Sequence, residues 1–555
     1  MMWTDPLLAN RGSIRMSTMT KRRPSSDSDT ERRFAQGQRL QARDRHEDAA
    51  ARYRKVLAAE PAHMGALTGL IQCLIAMGQQ AEAVALLDRA ASEAGGNLAH
   101  VFDLAVLCAS VKHNAQARSL YERLLEAEPG NVPSLINLGV LVDEMGEKQR
   151  AVDLISRAIE LKPDSATAYG MLGKVLTGTK LFDDALACYR RSIEINPGIA
   201  QTWTNLAALF EILDRQHDAL EALRRALTID PECDAARWNL ARTLLSTGYT
   251  EEGWDMYGFG FACGQRQPFR PFPGLIWEGQ DLTGKTIMVW REQGLGDDIH
   301  FSTCYTDLIA RAGHVIIETD ARLVPLYQRT WPSATVRQEA WRSTGLGNYG
   351  EVDFDYTAPA GLVAAQLRRR VADFPPAVSP LVPDAARIAE CREWLESLGP
   401  GPKIGISWTS GKVNDLRSIY YTQLADWAAL FEIEGVKVVN LQYTNVEREA
   451  DELRRERGLT LHCMPGLDLF TDLDGAAALT SCLDATVGPP SFPVALAGGL
   501  GVPTFHYGAA RIWTRLGTDR MPWFPSLRCY DIGRSTDKPK MAAAMIADIA
   551  RYLRG

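Results

Sequence analysis

The sequence predicts an α-helical solenoid followed by a two-lobed α/β domain, and three observations predict it. Pro61, Gly95, Pro129, Pro163, Pro197 and Pro231 follow one another at an unbroken spacing of 34 residues. The β-branched and aromatic run 286–290 leads into a glycine loop containing Gly294 and Gly296, and then into helical composition to about Arg311. Further apolar runs at 403–408, 436–441, 459–462, 485–487 and 504–505 are separated by helical stretches, 447–457 and 474–481 among them. A chain of 555 residues also exceeds what one hydrophobic core usually serves.

The period defines the first half. Counting back from each terminator reaches a small residue, Ala49, Ala83, Ala117, Ala151, Ala185 and Ala219, where two helices must approach closely. Four residues later stands a larger apolar one, Tyr53, Leu87, Tyr121, Ile155, Tyr189 and Leu223, on the same helical face. The first helix of each unit carries Leu70, Leu104, Leu138, Leu172, Leu206 and Leu240 in register. A helix–turn–helix unit of this length and pattern is the tetratricopeptide (TPR) repeat. Six complete repeats are read from about Thr30 to Cys233, followed by a degenerate cap with Trp238, Leu244, Gly248 and Gly253; the solenoid is assigned to 30–258.

Such a stack presents a long concave groove lined by first helices. Just before the Leu stand Asp103, Asn137, Asn205 and Asn239, with Gly69 and Met171 interrupting the series. An Asn amide offers both a donor and an acceptor, so it can hold a peptide backbone without reading side chains. These four positions are the candidate acceptor-protein contacts; a polar residue merely tolerated on an exposed face is the alternative.

In the second half, 259–280 is rich in Phe, Pro and Gly and reads as an ordered linker. The strand, glycine loop and helix after it form the first βα unit of a nucleotide-type lobe, assigned to 281–385, with a second strand at 314–318. Residues 368–383 read as the exit from that lobe, and 386–555 as a second lobe. Two successive Rossmann-like lobes with a cleft between them describe the GT-B architecture, and other doubly wound enzymes share the pattern.

Composition limits the function. A formal charge of −7 and no long basic tract exclude a large electrostatic footprint for nucleic acid, and Lys21, Arg22 and Arg23 sit in a polar tail, 1–29, that reads as disordered. Ten scattered cysteines without a CxxC pair signal neither a zinc site nor a disulfide framework. No apolar run long enough for membrane insertion is seen, and a cytoplasmic location is expected.

The segments Glu292-Gln-Gly-Leu-Gly-Asp-Asp298, Trp408-Thr-Ser-Gly-Lys412, Asn440-Leu-Gln-Tyr443, Asp472-Leu-Asp474 and 495–503 together resemble bacterial TPR-linked glycosyltransferases related to heptosyltransferases. Within that group the chain resembles flagellin glycosyltransferases, and its solenoid is similar to that of the O-GlcNAc transferases, whose asparagine ladder holds extended acceptor protein. The resemblance implies a protein O-glycosyltransferase that moves a sugar, in some relatives a nonulosonic acid such as pseudaminic acid, from a nucleotide sugar to Ser or Thr of a flagellin-like acceptor. It implies no bound cofactor and no metal; the co-substrate is the nucleotide sugar, CMP-linked donors among the candidates.

The resemblance also assigns roles. Gly296 and Asp297 match the Gly-Asp pair whose carboxylate is the family's general base, with Asp298 as the alternative. A carboxylate placed there can accept the proton that an acceptor hydroxyl loses as it attacks. Either Asp can instead cap the helix that follows. The leaving phosphate needs cations or helix N-termini; Gly294, Gly296, Ser410, Gly411, Lys412, Arg417 and Ser491 are the donor-binding candidates, with Gln442 placed to meet the base or ribose. Asp472 and Asp474 precede a helix and read as caps. Pro490, Ser491 and Ala495 stand where related heptosyltransferases carry Asp, Thr and His, which points away from an ADP-heptose donor. A surface-polysaccharide transferase and a noncatalytic TPR adaptor with a degenerate second half are the competing expectations.

Overall fold

The structure is a computed structural model, and it describes residues 27–267, 269–270, 272, 275–339, 352–377, 380–411, 420–509, 512–532 and 538–554. Helical hairpins occupy its first part: α1 (Asp27–Gln41) with α2 (His46–Ala59), α3 (Met64–Ala76) with α4 (Gln80–Glu93), α5 (Leu98–Ser110) with α6 (Asn114–Ala127), and α7 (Val132–Glu144) with α8 (Lys148–Leu161). They continue as α9 (Ala166–Gly178) with α10 (Phe182–Ile195), α11 (Ala200–Ile212) with α12 (Gln216–Ile229), and α13 (Asp234–Thr247) with the short α14 (Thr250–Met256).

Local chemistry explains the punctuation. Each residue of the 34-spaced series follows directly on the C-cap of a second helix, where a proline cannot continue the helical hydrogen bonding. Three consecutive first helices, α5, α7 and α9, open on polar caps: Asn97 accepts from the His100 N–H at 3.2 Å, Asn131 from Ser134 at 3.0 Å and Ser165 from Ala168 at 3.3 Å. The six alanines and the six larger residues four positions on are all buried. The solenoid core breaks into separate clusters, Ala49 to Val175, Leu176 to Leu209 and Ala207 to Leu244, as expected when each repeat packs only on its neighbours.

After α15 (Phe259–Ala262), a first parallel sheet is built from β1 (Leu275–Ile276), β2 (Thr286–Trp290), β3 (His314–Thr319), β4 (Thr335–Gln338) and β5 (Tyr356–Pro359) in the order β1-β5-β2-β3-β4. Ile287 pairs with Val315 on one side and with Tyr356 on the other. Its helices are α16 (Leu295–Ser302), α17 (Tyr305–Ile309), α18 (Val324–Thr330) and α19 (Ala360–Leu367). The second parallel sheet has β6 (Lys403–Ile406), β7 (Lys437–Asn440), β8 (Ala485–Gly488), β9 (Thr504–Gly508) and β10 (Leu527–Asp531) in the order β10-β9-β8-β6-β7. It carries α20 (Ala385–Ser397), α21 (Ala428–Phe431), α22 (Glu447–Arg457), α23 (Leu473–Ser481), α24 (Phe492–Gly499) and α25 (Lys538–Tyr552). In each sheet the order reverses beside its first long strand, β2 or β6, which places a crevice at the strands' carboxyl ends.

The solenoid and both lobes share one core. Trp238, Trp254 and Tyr257 from the end of the solenoid are clustered with Ile287 and Ile299 of the first lobe and with Val494, Trp523 and Phe524 of the second. Gly517 and Gly248 meet backbone to backbone, so that a Cβ at Gly517 would lie 2.5 Å from the Gly248 nitrogen. Glycine on the second lobe is what lets the solenoid cap approach so closely.

Several expectations are adjusted. The segment 259–280 is less a linker than the start of the first lobe, because β1 pairs with β5 through Leu275 and Tyr356. The strand expected at 459–462 reduces to a single bridge between His462 and Val439. β4, β5 and β10 have no counterpart in the sequence reading: the first two are four residues each and carry polar or Pro residues, and β10 is an edge strand. The first helix begins at Asp27, inside the segment expected to be disordered, while residues 1–26 lie outside the described residues. No helix among the described residues is long and apolar enough to cross a membrane.

Candidate functional site

The two sheets meet through one helix from each. α16 starts at the carboxyl end of β2 and α24 at the carboxyl end of β8, and they pack side by side with their N-termini together: a Cβ at Gly296 would lie 3.8 Å from the Phe492 Cα and 3.8 Å from the Ala495 Cβ. Farther along, Ile299 packs on Gly499, so the helices run parallel. Two positive helix ends thus point into the same space, and no side chain caps α24. Ser491 stands at that end in an extended conformation, with its hydroxyl donating to the Pro489 carbonyl at 3.0 Å.

Asp297 is half-buried beside this junction. One carboxylate oxygen accepts the Gly294 N–H at 3.2 Å, closing the first turn of α16; the other has no hydrogen-bond partner among the described residues. Capping and proton acceptance are therefore compatible at this side chain. One turn on, the His300 Nδ1–H donates to the Gly296 carbonyl at 2.7 Å, and its ring lies 4.6 Å from that of Phe524. Burial lowers the His300 pKa, with the Gly296 carbonyl and Asp297 opposing, which keeps a neutral imidazole next to the carboxylate.

Asp298 is placed differently from the expectation. It is fully buried, pointing into the lobe, where it accepts a 2.5 Å hydrogen bond from Thr319 and its other oxygen has no partner. Burial pushes its pKa up to about 7, against the pull of Thr319 and Arg291. A group sealed there cannot take a proton from an acceptor hydroxyl, so Asp298 is corrected from candidate base to core residue. His506, in the middle of β9, is displaced the other way: burial first, then His300 and Arg515, bring it down to about 4, against the Gly488 carbonyl and Asp531.

These two shifts have opposite signs in the pH dependence of stability. Asp298 holds a proton in the folded state that the unfolded chain releases above about pH 4, so its contribution falls as pH rises through 7. His506 lacks in the folded state a proton that the unfolded chain binds below about pH 6.5, so its contribution rises with pH from 4 to 6.5. Between about pH 4.5 and 6 the two offset each other. Asp298→Asn should uncover the histidine, adding a slope of about +1.4 kcal/mol per pH unit there relative to wild type. Urea unfolding at pH 5.0, 5.5 and 6.0 measures it, and parallel profiles would show that Asp298 carries no extra proton.

In the second lobe the loop after β6 is tied to the loop after β7. Gln442 is buried; its amide oxygen accepts from Trp408 and Thr409 N–H at 3.1 Å each, and its nitrogen donates to Thr444 at 3.0 Å. The amide oxygen is fully used in shaping the loop, while one N–H of the amide has no partner among the described residues, so a contact to base or ribose would be limited to that donor. Ser410 and Gly411 are held by Tyr443, whose hydroxyl lies 3.0 Å from the Ser410 Oγ and accepts the Gly411 N–H at 2.8 Å. Lys412 and Arg417 lie outside the described residues. At the crevice between β6 and β8, the buried Ser407 hydroxyl has no hydrogen-bond partner, and it closes so tightly on Gly488 that no Cβ fits there.

The lobes are bridged on the same side. Arg322, paired with Asp320 after β3, donates to the Phe470 carbonyl at 2.8 Å and covers its ring at 5.1 Å, and Phe470 stacks on Tyr443. Asp472 caps α23 by accepting the Gly475 N–H at 2.8 Å, as expected, and Asp474 pairs with Arg329 of the first lobe.

Along the solenoid the four ladder positions differ from one another. Asp103 is exposed, while Asn137, Asn205 and Asn239 are half-buried. Asn137 lies beside Tyr121, whose hydroxyl burial pushes up to about 12, with Asn137 opposing. The Asn205 oxygen accepts from Gln201 at 2.8 Å and its nitrogen is buried without a partner. Asn205 is thus already partly engaged with a neighbouring side chain.

The loop that carries Asp297 is gripped both from within its own lobe and by the end of the solenoid. Gln293 has a φ of +60°, a left-handed conformation that costs a residue with a Cβ roughly 1–2 kcal/mol. Its N–H donates to the Gln267 carbonyl at 2.6 Å and its side chain to the Tyr257 hydroxyl at 2.9 Å. Next to it, buried Glu292 forms a two-pronged ion pair with buried Arg266 and accepts the Gly361 N–H at 2.6 Å, at the start of α19. The Arg266 guanidinium is sandwiched between the Tyr257 and Phe261 rings, 4.0 Å from each.

His300, His506, Ser407, Tyr443 and Tyr257 were not singled out from the sequence. Only His300 left a local signal, since it lies three residues after Asp297 on one helical face.

The fold and site define a TPR-repeat protein whose second part is an α/β region of two parallel sheets. Tetratricopeptide-repeat family models match residues 40–106, 111–174 and 164–232. The chain is homologous to Protein FlbA of Caulobacter vibrioides, 36% identical over 310 residues, a match covering 54% of this chain and 52% of that protein. The chain therefore spans about half the length of this relative. Among solved structures, it is similar to a tetratricopeptide repeat protein from Parabacteroides merdae (16% identity, TM-score 0.33, 42% of this chain and 93% of that one). It is also similar to MamA (21% identity, TM-score 0.24, 28% and 92%) and to YrrB, a TPR protein with an unusual peptide-binding site (20% identity, TM-score 0.23, 33% and 95%).

Proposed function

We propose that the protein is a metal-independent glycosyltransferase of GT-B type that moves a sugar from a nucleotide donor to a Ser or Thr hydroxyl of an acceptor protein, flagellin-like in class, held by the solenoid. The observation that carries this reading is the junction of α16 and α24, where two helix N-termini converge beside a carboxylate with one uncommitted oxygen. In the reaction the acceptor oxygen attacks the anomeric carbon and passes its proton to Asp297. The bond from that carbon to the donor phosphate breaks, and its electron pair leaves on the phosphate, facing the helix ends. The flagellin-like acceptor and the nonulosonic sugar come from the family resemblance, with which the TPR repeats and the similarity to Protein FlbA are in keeping.

A noncatalytic TPR adaptor is the second reading, favoured by the capping bond that already occupies one oxygen of Asp297. Thermal-shift measurements with CMP-, UDP-, GDP- and ADP-sugars, CMP-nonulosonic acids included, separate the two. A ligand at 100 times its Kd stabilises the folded state by about 2.7 kcal/mol, and the transferase reading expects such a shift with one nucleotide class. No shift with any of them would favour the adaptor.

A further inference from the structure

We propose that Tyr257, the residue that ends the solenoid, is a positioning residue for the Asp297 loop, so that the solenoid shares with the first lobe in setting the loop's reactive conformation. The inference rests on the reading of Asp297 as proton acceptor. The left-handed Gln293 stands four residues before Asp297; its side-chain amide is held by Tyr257 at the end of the solenoid, its N–H by Gln267 in the segment that follows, and its carbonyl accepts from Arg291 of the first lobe at 2.9 Å. The Tyr257 ring is in turn gripped by Trp238 of α13 at 5.3 Å, Trp254 of α14 at 5.0 Å and Trp513 of the second lobe at 5.7 Å. One side chain thereby touches the solenoid, the second lobe and the loop.

This arrangement transmits displacement. A movement of α13 and α14 when a client enters the groove, or of the second lobe when a donor binds, is passed through a rigid aromatic ring to a backbone conformation that Gln293 does not favour by itself. Loss of either clamp bond lets the loop relax toward ordinary φ values and carries Gly294 and Asp297 with it. The Arg266–Glu292 pair holds the base of the loop and does not substitute for the clamp, because it acts on the residue before Gln293.

The test uses the full chain with Tyr257→Phe, Gln293→Ala and the double variant. Phenylalanine keeps the ring packing and removes the hydroxyl; alanine keeps the backbone penalty and removes the amide. Amide exchange across 292–298 should rise about ten-fold in Tyr257→Phe while that of α1 to α12 stays at the wild-type rate. In transfer assays kcat should fall roughly 100-fold with the acceptor KM unchanged, the signature of a displaced reacting group and not of a lost binding contact. The double variant should be no worse than either single one, since both remove the same bond. Wild-type exchange across 292–298, an unchanged kcat, or additive losses would each overturn the proposal. If the wild-type protein transfers no sugar to any acceptor, it is the transferase reading that fails, and the exchange measurement still decides whether Tyr257 clamps the loop.

Discussion

Replacing Asp297 by Asn is expected to lower sugar transfer by about 10²–10⁴-fold, the usual contribution of a positioned proton acceptor. The variant isolates chemistry from folding, because the Asn oxygen can still accept the Gly294 N–H that now closes the first turn of α16 at 3.2 Å. What it loses is the negative charge at a helix N-terminus, worth about 0.3–1 kcal/mol. The unfolding midpoint should therefore hardly move while the rate collapses. Initial rates by intact-mass analysis of the acceptor, set beside a thermal melt, give both quantities. Transfer at the wild-type rate would remove Asp297 from the reaction and turn attention to the neutral imidazole of His300 one turn away.

The largest effect on stability is expected from Arg266→Ala. Arg266 and Glu292 are both fully buried, and removing the guanidinium leaves a carboxylate in the core with only the Gly361 N–H for compensation. Breaking one side of such a pair costs about 3–5 kcal/mol. Two rings that sandwich the guanidinium also lose their partner, and the Tyr257 carbonyl loses a donor at 2.9 Å. Lysine should not rescue the variant, since a point charge cannot make both prongs of the interaction. Denaturant unfolding checks this, with Glu292→Gln as the partner experiment. A loss below about 1 kcal/mol for Arg266→Ala would mean the pair is merely tolerated, as some buried ion pairs are.

The solenoid was legible almost residue by residue, because its information is local. A helix exposes its packing rule as a spacing of 3 or 4 along the chain, and a stack of identical hairpins repeats that rule every 34 residues, so Ala151 and Ile155 announce their burial without reference to anything distant. The strands β2, β3, β6 and β7 were visible as apolar runs for a related reason: a parallel strand covered on both faces is hydrophobic throughout. β4 and β5 are not legible in the same way, since a strand of four residues with Thr, Arg, Gln or Pro carries too few apolar positions to stand out. Arg266 and Arg270 were hidden in a segment whose Phe, Pro and Gly content reads as linker, although both are buried and ion-paired, Arg270 to Glu318 at 2.8 Å.

By itself the sequence determined the order of the parts, the repeat count, the βα unit that places Gly294, Gly296 and Asp297 together, and the Asp472 cap, all features in which the interacting residues lie within a few positions of one another. The tertiary structure alone decided which polar groups remain available for a ligand. Asp297 and Asp298 are neighbours in the chain, yet successive residues of a helix point about 100° apart, so one reaches the lobe junction and the other the core, where burial brings its pKa up to about 7. Gln442 likewise ended up inside, its amide oxygen spent on the backbone of Trp408 and Thr409. The meeting of α16 with α24, nearly 200 residues later, and of Tyr257 with Gln293, depends on how whole layers pack, and no local spacing encodes that.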